Sequence, residues 1–313
     1  MGTNYIKTAK INNAIITGPE SFISLAESNY QNQLEKIAQK ISADCNEKPL
    51  VLLSGPSGSG KTTSALRIAN LIKQNGINVH TISMDNYFLP GELGELPRDK
   101  NGNIDLESPY RVDIALFSEH LKKLFLCEEI SVPVFDFATQ SRPAFIPIKR
   151  KNNEVIIIEG IHALNPLVTG DTDAFTTCLY VSVRTRISAD DGALLHPSRI
   201  RLMRRLMRDK LFRGRKLEDI FALFASVSRG EELYIMPHKH RADFDIDTFI
   251  SYEASVYKDL LLPGLKDIED IMKDNVNYND IVRFLSELSS LPADMVPADS
   301  LVREFIGGSS LVY

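Results

Sequence analysis

The chain has 313 residues, 43% hydrophobic and 25% charged, with a formal net charge of −5. These are the proportions of an ordinary globular protein of one or two domains, and the negative balance argues against general affinity for nucleic acid. Cys45, Cys127 and Cys178 are too scattered for a disulfide framework or a zinc site, and Met1–Lys10 has no apolar signal core. No run approaches the roughly 18 apolar residues of a membrane helix, so a cytoplasmic protein with no membrane contact is expected.

Residues 1–27 hold short apolar stretches such as Ala14-Ile15-Ile16 and no chemical motif. A helix is predicted over 29–44, with Leu34, Ile37, Ala38 and Ile41 on one stripe, then a connector from Asp44 to Lys48. The apolar run Leu50-Val51-Leu52-Leu53 reads as a strand and leads into Gly55-Pro56-Ser57-Gly58-Ser59-Gly60-Lys61-Thr62-Thr63. That stretch meets G-x-x-x-x-G-K-[ST] residue for residue, between a strand and a predicted helix ending near Gly76. Glycines let successive backbone N–H groups point at one centre, and the helix N-terminus adds its partial positive charge there. Lys61 would reach the β- and γ-phosphates and Thr62 would sit on Mg²⁺, so the chain is read as binding a nucleoside triphosphate.

A second strand is predicted over 78–83, which puts Asp85 at the edge where open α/β sheets place their ligands. Asp85 is a candidate base or metal partner, with a turn or cap aspartate as the plainer role. Residues 89–112, with Pro90, Gly91, Gly94, Pro97, Gly102 and Pro109, form a long turn-rich loop of the kind that serves as a lid or binding loop, and Asp105 lies in it. Helical periodicity returns from Val112 to Cys127, and Val132–Phe137 follows. The run Val155-Ile156-Ile157-Ile158 marks a strand buried on both faces, ending in Glu159. An acid there suits Mg²⁺, held directly or through water; a solvated strand end is the alternative.

Another strand is predicted over 178–183, then an insertion over 184–197, then a helix capped by Ser198. That helix and its end carry Arg199, Arg201, Arg204, Arg205, Arg208, Arg213 and Arg215. A nucleic-acid face or a solvated helix would use such a run, but guanidinium forks also match phosphate oxygens, and a lid closing over the triphosphate is the preferred reading. His238-Lys239-His240 reads as an exposed basic turn, because no third metal ligand is evident. A last strand is predicted over 245–250, and helical pattern follows from Glu253.

Taken in this order, the phosphate loop, Met84–Phe88, Asp105, Pro133-Val134-Phe135-Asp136-Phe137, Glu159-Gly160-Ile161 and Arg204-Arg205 through Arg213-Gly214-Arg215 resemble the uridine kinase family, within the uridine kinase and phosphoribulokinase group. The likeness spans about residues 49–250. It is nearest to the longer bacterial uridine kinase-like proteins through Glu159-Gly160-Ile161-His162-Ala163-Leu164-Asn165, and it continues into Arg303–Gly308. It implies an α/β fold: a P-loop, nucleoside-kinase-type parallel sheet flanked by helices, with an arginine-rich lid. The division expected is an N-terminal extension with one helix (1–48), a kinase domain (49–252) and a C-terminal helical segment packed on the core (253–313).

By the same resemblance Asp85 takes the proton of a nucleoside 5′-hydroxyl and helps organise Mg²⁺, with Thr62 and Glu159 at the metal. Gly55, Ser57, Gly58, Ser59, Gly60, Lys61, Thr62, Thr63 and Arg215 would hold ATP. Asp105 would hold the ribose hydroxyls, Arg205 and Arg208 would lie toward the sugar, and Lys61, Arg208 and Arg213 would act on the moving phosphoryl group. Phe135, Gln140 and Leu223 stand where uridine-cytidine kinases carry a Tyr, a His and a Gln for the base, so polar reading of a pyrimidine is weakened. The expectation is an ATP- and Mg²⁺-dependent kinase of a nucleoside or another small hydroxyl compound, with no nucleic-acid partner and room for a homo-oligomer. A kinase of a non-nucleoside alcohol is the first alternative and a nucleotide-dependent RNA-binding regulator the second.

Overall fold

The computed structural model describes residues 4–91, 96–100 and 102–312; Gly94 of the predicted loop lies outside them. In chain order the chain forms β1 (Tyr5–Lys7), α1 (Thr8–Thr17), α2 (Pro19–Asp44), β2 (Leu50–Ser54), α3 (Lys61–Gln74) and β3 (Val79–Ser83). There follow α4 (Ile114–Phe125), β4 (Glu129–Asp136), β5 (Ser141–Lys149), β6 (Val155–Glu159), α5 (Pro166–Thr169), β7 (Thr176–Ser182), β8 (Arg186–Ser188) and β9 (Leu194–Leu195). The last part comprises α6 (Pro197–Arg213), α7 (Leu217–Gly230), β10 (Phe244–Asp247), α8 (Glu253–Lys266), α9 (Glu269–Met272), α10 (Val276–Glu287) and α11 (Arg303–Ile306).

Five strands make one parallel sheet in the order β10-β7-β2-β6-β3. Its central strands β2 and β7 are buried at every position, and β6 at all but Glu159, because both faces are covered. Alternate side chains separate the core in two: Val51, Leu53, Ile157, Leu179 and Val181 face α2, α3 and α6, while Leu50, Leu52, Ile156, Ile158 and Tyr180 face α4 and β4. Each such buried side chain contributes about 1.5–3 kcal/mol. Among the described residues no helix is long and apolar enough to cross a membrane.

The structure departs from expectation in several places. The N-terminal extension contains two helices, and α2 begins at Pro19, ten residues before the predicted start. Proline at the first helical position is preset for the turn, and Phe22, Ile23, Ala26 and Tyr30 extend the same buried stripe. The stretch read as an insertion carries the β8–β9 hairpin, and β1 pairs in parallel with β8. The cap of α6 is His196, whose Nδ1 accepts from the Ser198 N–H, with Pro197 rather than Ser198 opening the helix. The stretch Val132–Phe137, given no element in sequence, lies mostly in β4, which pairs with β5 as an antiparallel ribbon outside the main sheet.

Candidate active site

Between β2 and α3 the backbone turns through Gly58 (φ +75°) and Gly60 (φ +82°), the left-handed region where glycine carries no steric penalty. At Gly55 a Cβ would lie 2.1 Å from the Val181 carbonyl oxygen, so no side chain fits. The loop's carbonyls are tied outward: Arg201 Nη1 donates to Ser57 O (3.3 Å), Arg204 Nη1 to Gly58 O (3.1 Å) and Thr248 Oγ1 to Ser59 O (2.7 Å). In a planar trans peptide the next N–H points the opposite way, so the Gly58 and Gly60 amides turn into the loop. Arg205 Nη1 donates to Ser57 Oγ (2.5 Å), and Ser59 Oγ is buried with no hydrogen-bond partner. Lys61 opens α3, Thr62 is partly buried in its first turn, and Thr63 is buried and donates to Glu304 Oε2 (2.5 Å).

Sheet register brings the carboxylates to this loop. Glu159 pairs with Leu53 of β2 on one side and Ser83 of β3 on the other, and Ser83 Oγ donates to Glu159 Oε1 (3.1 Å). Asp85 follows β3 in a 3-10 turn over Met84–Tyr87. Burial holds both carboxyls above their usual range, with Asp85 adding to the rise at Glu159, and Lys61 opposes both shifts. Arg213, Arg111 and Arg208 also pull Asp85 down, so their charges reach across the cleft to it.

The arginines divide into two sets. Arg199, Arg201 and Arg204 are structural: they pair with Asp280 (2.9 Å), Glu231 (2.5 Å) and Glu253 (2.7 Å), and Arg204 and Glu253 are both 0% exposed. Arg205, Arg208, Arg213 and Arg215 gather on buried Asp209 at 3.7, 2.8, 3.3 and 3.9 Å. Burial opposes it, yet this crowd holds the Asp209 carboxyl below the usual range. Burial and Arg208 pull Arg205 down to about 10. One carboxylate cannot neutralise four guanidinium groups, so the cluster has charge to spare for an anion. The predicted lid is therefore a partly buried helix in which only the later arginines face the cleft.

On the other side, Asp105 (2% exposed) accepts from Tyr234 Oη (2.9 Å) and pairs with Arg229 (3.4 Å). Glu107, which sequence reasoning passed over, is raised by burial and feels Arg205, Lys61, Asp85 and Asp105. An acid two residues beyond Asp105 was the available signal. Phe135 is packed edge-on against Phe88 and Phe137 in the core. Gln140 donates to Phe137 O (2.8 Å) and accepts from Arg111 Nη2 (3.3 Å), while Leu223 is 37% exposed on α7. None of these three presents a free polar group to a base.

His162, quoted in sequence only as part of a motif, is 1% exposed, and neither ring nitrogen makes a hydrogen bond of normal geometry, although the Glu107 backbone acts on the ring. Of the nine buried side-chain atoms without one among the described residues, seven belong to Ser59, Arg111, His162, Arg205, Asp209 and Arg229 around this cleft. Buried polar groups are normally paired, so the cluster marks where a polar ligand goes.

Burial pushes the His162 imidazole down to about 4, with His238 and Lys61 acting in the same direction and the Glu107 backbone and Asp105 opposing. The unfolded chain then binds a proton the folded one refuses, so stability is full above about pH 6.5 and is lost as pH falls toward 4. Urea melts at pH 7 and pH 5 should differ by about 2 kcal/mol more in the wild type than in His162→Leu. Equal pH dependence in the two would contradict a buried neutral imidazole.

The sequence profile of the Phosphoribulokinase / Uridine kinase family matches residues 50–253. The chain belongs to the phosphoribulokinase/uridine kinase family. Uridine kinases of Staphylococcus aureus strains JH9 and Newman are each 31% identical over 200 residues, spanning 63% of this chain and 86% of theirs. Among solved structures, a protein of Silicibacter sp. TM1040 described as a fructose transport system kinase has 22% identity and a TM-score of 0.47, covering 68% of this chain and 98% of its own. D-glycerate 3-kinase from Cryptococcus neoformans has 14% identity and a TM-score of 0.44, covering 67% and 88%.

As a member of the phosphoribulokinase/uridine kinase family the protein is an ATP-dependent phosphotransferase with an alcohol acceptor, built on a P-loop and a parallel α/β sheet. No cluster of three or more metal-ligating side chains occurs among the described residues. The cleft fits Mg²⁺ all the same, because that ion takes one or two carboxylates and completes its shell with phosphates and water. Glu159, Asp85 and the Thr62 hydroxyl would supply hard oxygen donors of that kind.

Proposed function

We propose that this protein transfers the γ-phosphoryl group of ATP to the 5′-hydroxyl of a nucleoside, with Mg²⁺ as cofactor. The observation that carries the reading is the meeting of Lys61, at the start of α3, with Glu159 and Asp85 at the ends of neighbouring strands, while half-buried Glu107, two residues from buried Asp105, feels the charges of Lys61 and Asp85. The loop amides, Lys61 and Ser59 hold the phosphates, and Thr62 and Glu159 would hold Mg²⁺, which would supply neutralisation of phosphate charge. Asp85 lines up the acceptor hydroxyl and takes its proton as the oxygen bonds to phosphorus and the bond to the leaving ADP oxygen breaks. Arg208 and Arg213 stabilise charge on the moving group, Arg215 lies beside the nucleotide, and Asp105 receives the ribose hydroxyls with Arg205 alongside.

A second reading, phosphorylation of a non-nucleoside alcohol, is favoured by one observation: Phe135 and Gln140 are spent on packing and on Arg111. An RNA-binding role has less support, since Arg199, Arg201 and Arg204 are paired inside the fold. Incubation with Mg²⁺–ATP and a panel of nucleosides, polyols and hydroxy acids, scored by ADP release, separates these. The proposal requires the largest kcat/KM on a nucleoside; a polyol or hydroxy acid ahead of every nucleoside would replace it with the second reading.

A further inference from the structure

The segment from Leu301 to Phe305 lies more than 230 residues beyond the phosphate loop, yet it touches that loop at two places and supports it through Arg204 at a third. Leu301 is fully buried against Gly60, close enough that a Cβ there would lie 2.6 Å from Leu301 Cδ1. Glu304 Oε2 accepts from the Thr63 hydroxyl at 2.5 Å, in the first turn of α3. The ring of Phe305 lies under the Arg204 guanidinium (5.2 Å), whose Nη1 holds Gly58 O. The segment is itself fixed. Ser300 bonds to Glu27 (2.6 Å) and Tyr252 (3.0 Å), and Arg303 Nη2 donates to Val296 O (2.5 Å).

From these contacts we infer that the C-terminal segment is a working part of the donor nucleotide site, with Glu304 as the positioning residue that holds the first turn of α3 through Thr63. The physical case rests on what the cradle needs. Backbone amides stabilise phosphate only when they are aimed before the phosphate arrives; otherwise ordering the loop draws on the binding energy. A hydroxyl held by a carboxylate makes a stronger tether than a neutral pair. The carboxylate also has a cost, since its charge faces Glu159 and any triphosphate in the loop. A bond kept at a helix N-terminus despite that repulsion acts through geometry, so the acceptor atom and the charge make separable contributions.

This inference rests on the reading that ATP phosphates bind at residues 55–63. Calorimetric titration of Mg²⁺–ATP into the full chain tests it without knowledge of the acceptor. Glu304→Gln keeps an acceptor for Thr63 and loses the charge, and it should bind ATP at least as tightly as the wild type. Glu304→Ala loses both and should bind about fivefold more weakly than Glu304→Gln. In a Thr63→Val background, which has no hydroxyl to hold, the two should bind alike. Equal binding by Glu304→Ala and Glu304→Gln with Thr63 present, or a difference that survives Thr63→Val, overturns the inference. If Glu304→Ala fails to fold, Glu304→Met takes its place: about fivefold weaker binding than Glu304→Gln that vanishes in the Thr63→Val background supports the tether, and equal binding overturns it. A wild-type chain that binds no ATP would overturn the phosphate-loop reading itself, and a bound wild type with indifferent variants only the role of Glu304.

Discussion

Asp85→Asn should leave the affinity for Mg²⁺–ATP nearly unchanged and lower turnover by about two orders of magnitude or more. The amide is close to isosteric and can still orient a hydroxyl, but it cannot take the proton. Phosphate binding rests on Lys61 and the loop, which the substitution does not touch. Removing one of two repelling carboxyls also relieves Glu159, so the folded state should lose little stability. Single-turnover kinetics with calorimetry of ATP binding separate the terms. Unaltered turnover would remove Asp85 from the chemistry, and lost ATP binding would make it a structural or metal-holding group first.

Glu253→Gln should destabilise the fold by about 3–5 kcal/mol, a large share of a typical 5–15 kcal/mol. Glu253 accepts from Arg204 Nε (2.7 Å) and Nη2 (2.9 Å), from the Ile250 N–H (3.1 Å) and from Tyr257 Oη (3.3 Å), all in a region closed to solvent. Neutralising it strands a buried guanidinium that burial disfavours and that Glu253, more than Tyr257 or Glu304, keeps charged. The double variant Arg204→Met, Glu253→Leu removes both charges and should be less destabilised than Glu253→Gln alone. It would still bind ATP more weakly, because Gly58 O loses its donor. Urea denaturation of the three proteins checks the order; a double variant worse than the single one would contradict the desolvation argument.

The site was legible in sequence where chemistry is local or where sheet geometry does the placing. The phosphate loop is a contiguous string whose glycines answer to backbone angle and close approach. Asp85 and Glu159 were legible because parallel strands end at a common edge, and β2, β6 and β3 are neighbours. The arginines were not separable by spacing alone. Arg201, Arg204, Arg205 and Arg208 recur every three or four residues on one face, and which of them is structural depends on Glu231 and Glu253, far along the chain. Pro19 opens α2, but the short apolar stretches around Ala14–Ile16 carry no helical period that extends the 29–44 stripe back to it. In β5, Pro143 and Pro147 mask the strand in sequence, and a two-stranded ribbon tolerates them because its outer edge is unpaired. No local pattern announces a bond between residues as far apart as Thr63 and Glu304.

The most direct test is to identify the product formed from Mg²⁺–ATP and the best nucleoside by phosphorus–proton NMR. The account predicts stoichiometric ADP and a nucleoside monophosphate esterified at C5′, with the signal absent for Asp85→Asn on the same timescale. ADP release with no phosphorylated nucleoside, or a phosphate on any other atom, would contradict it.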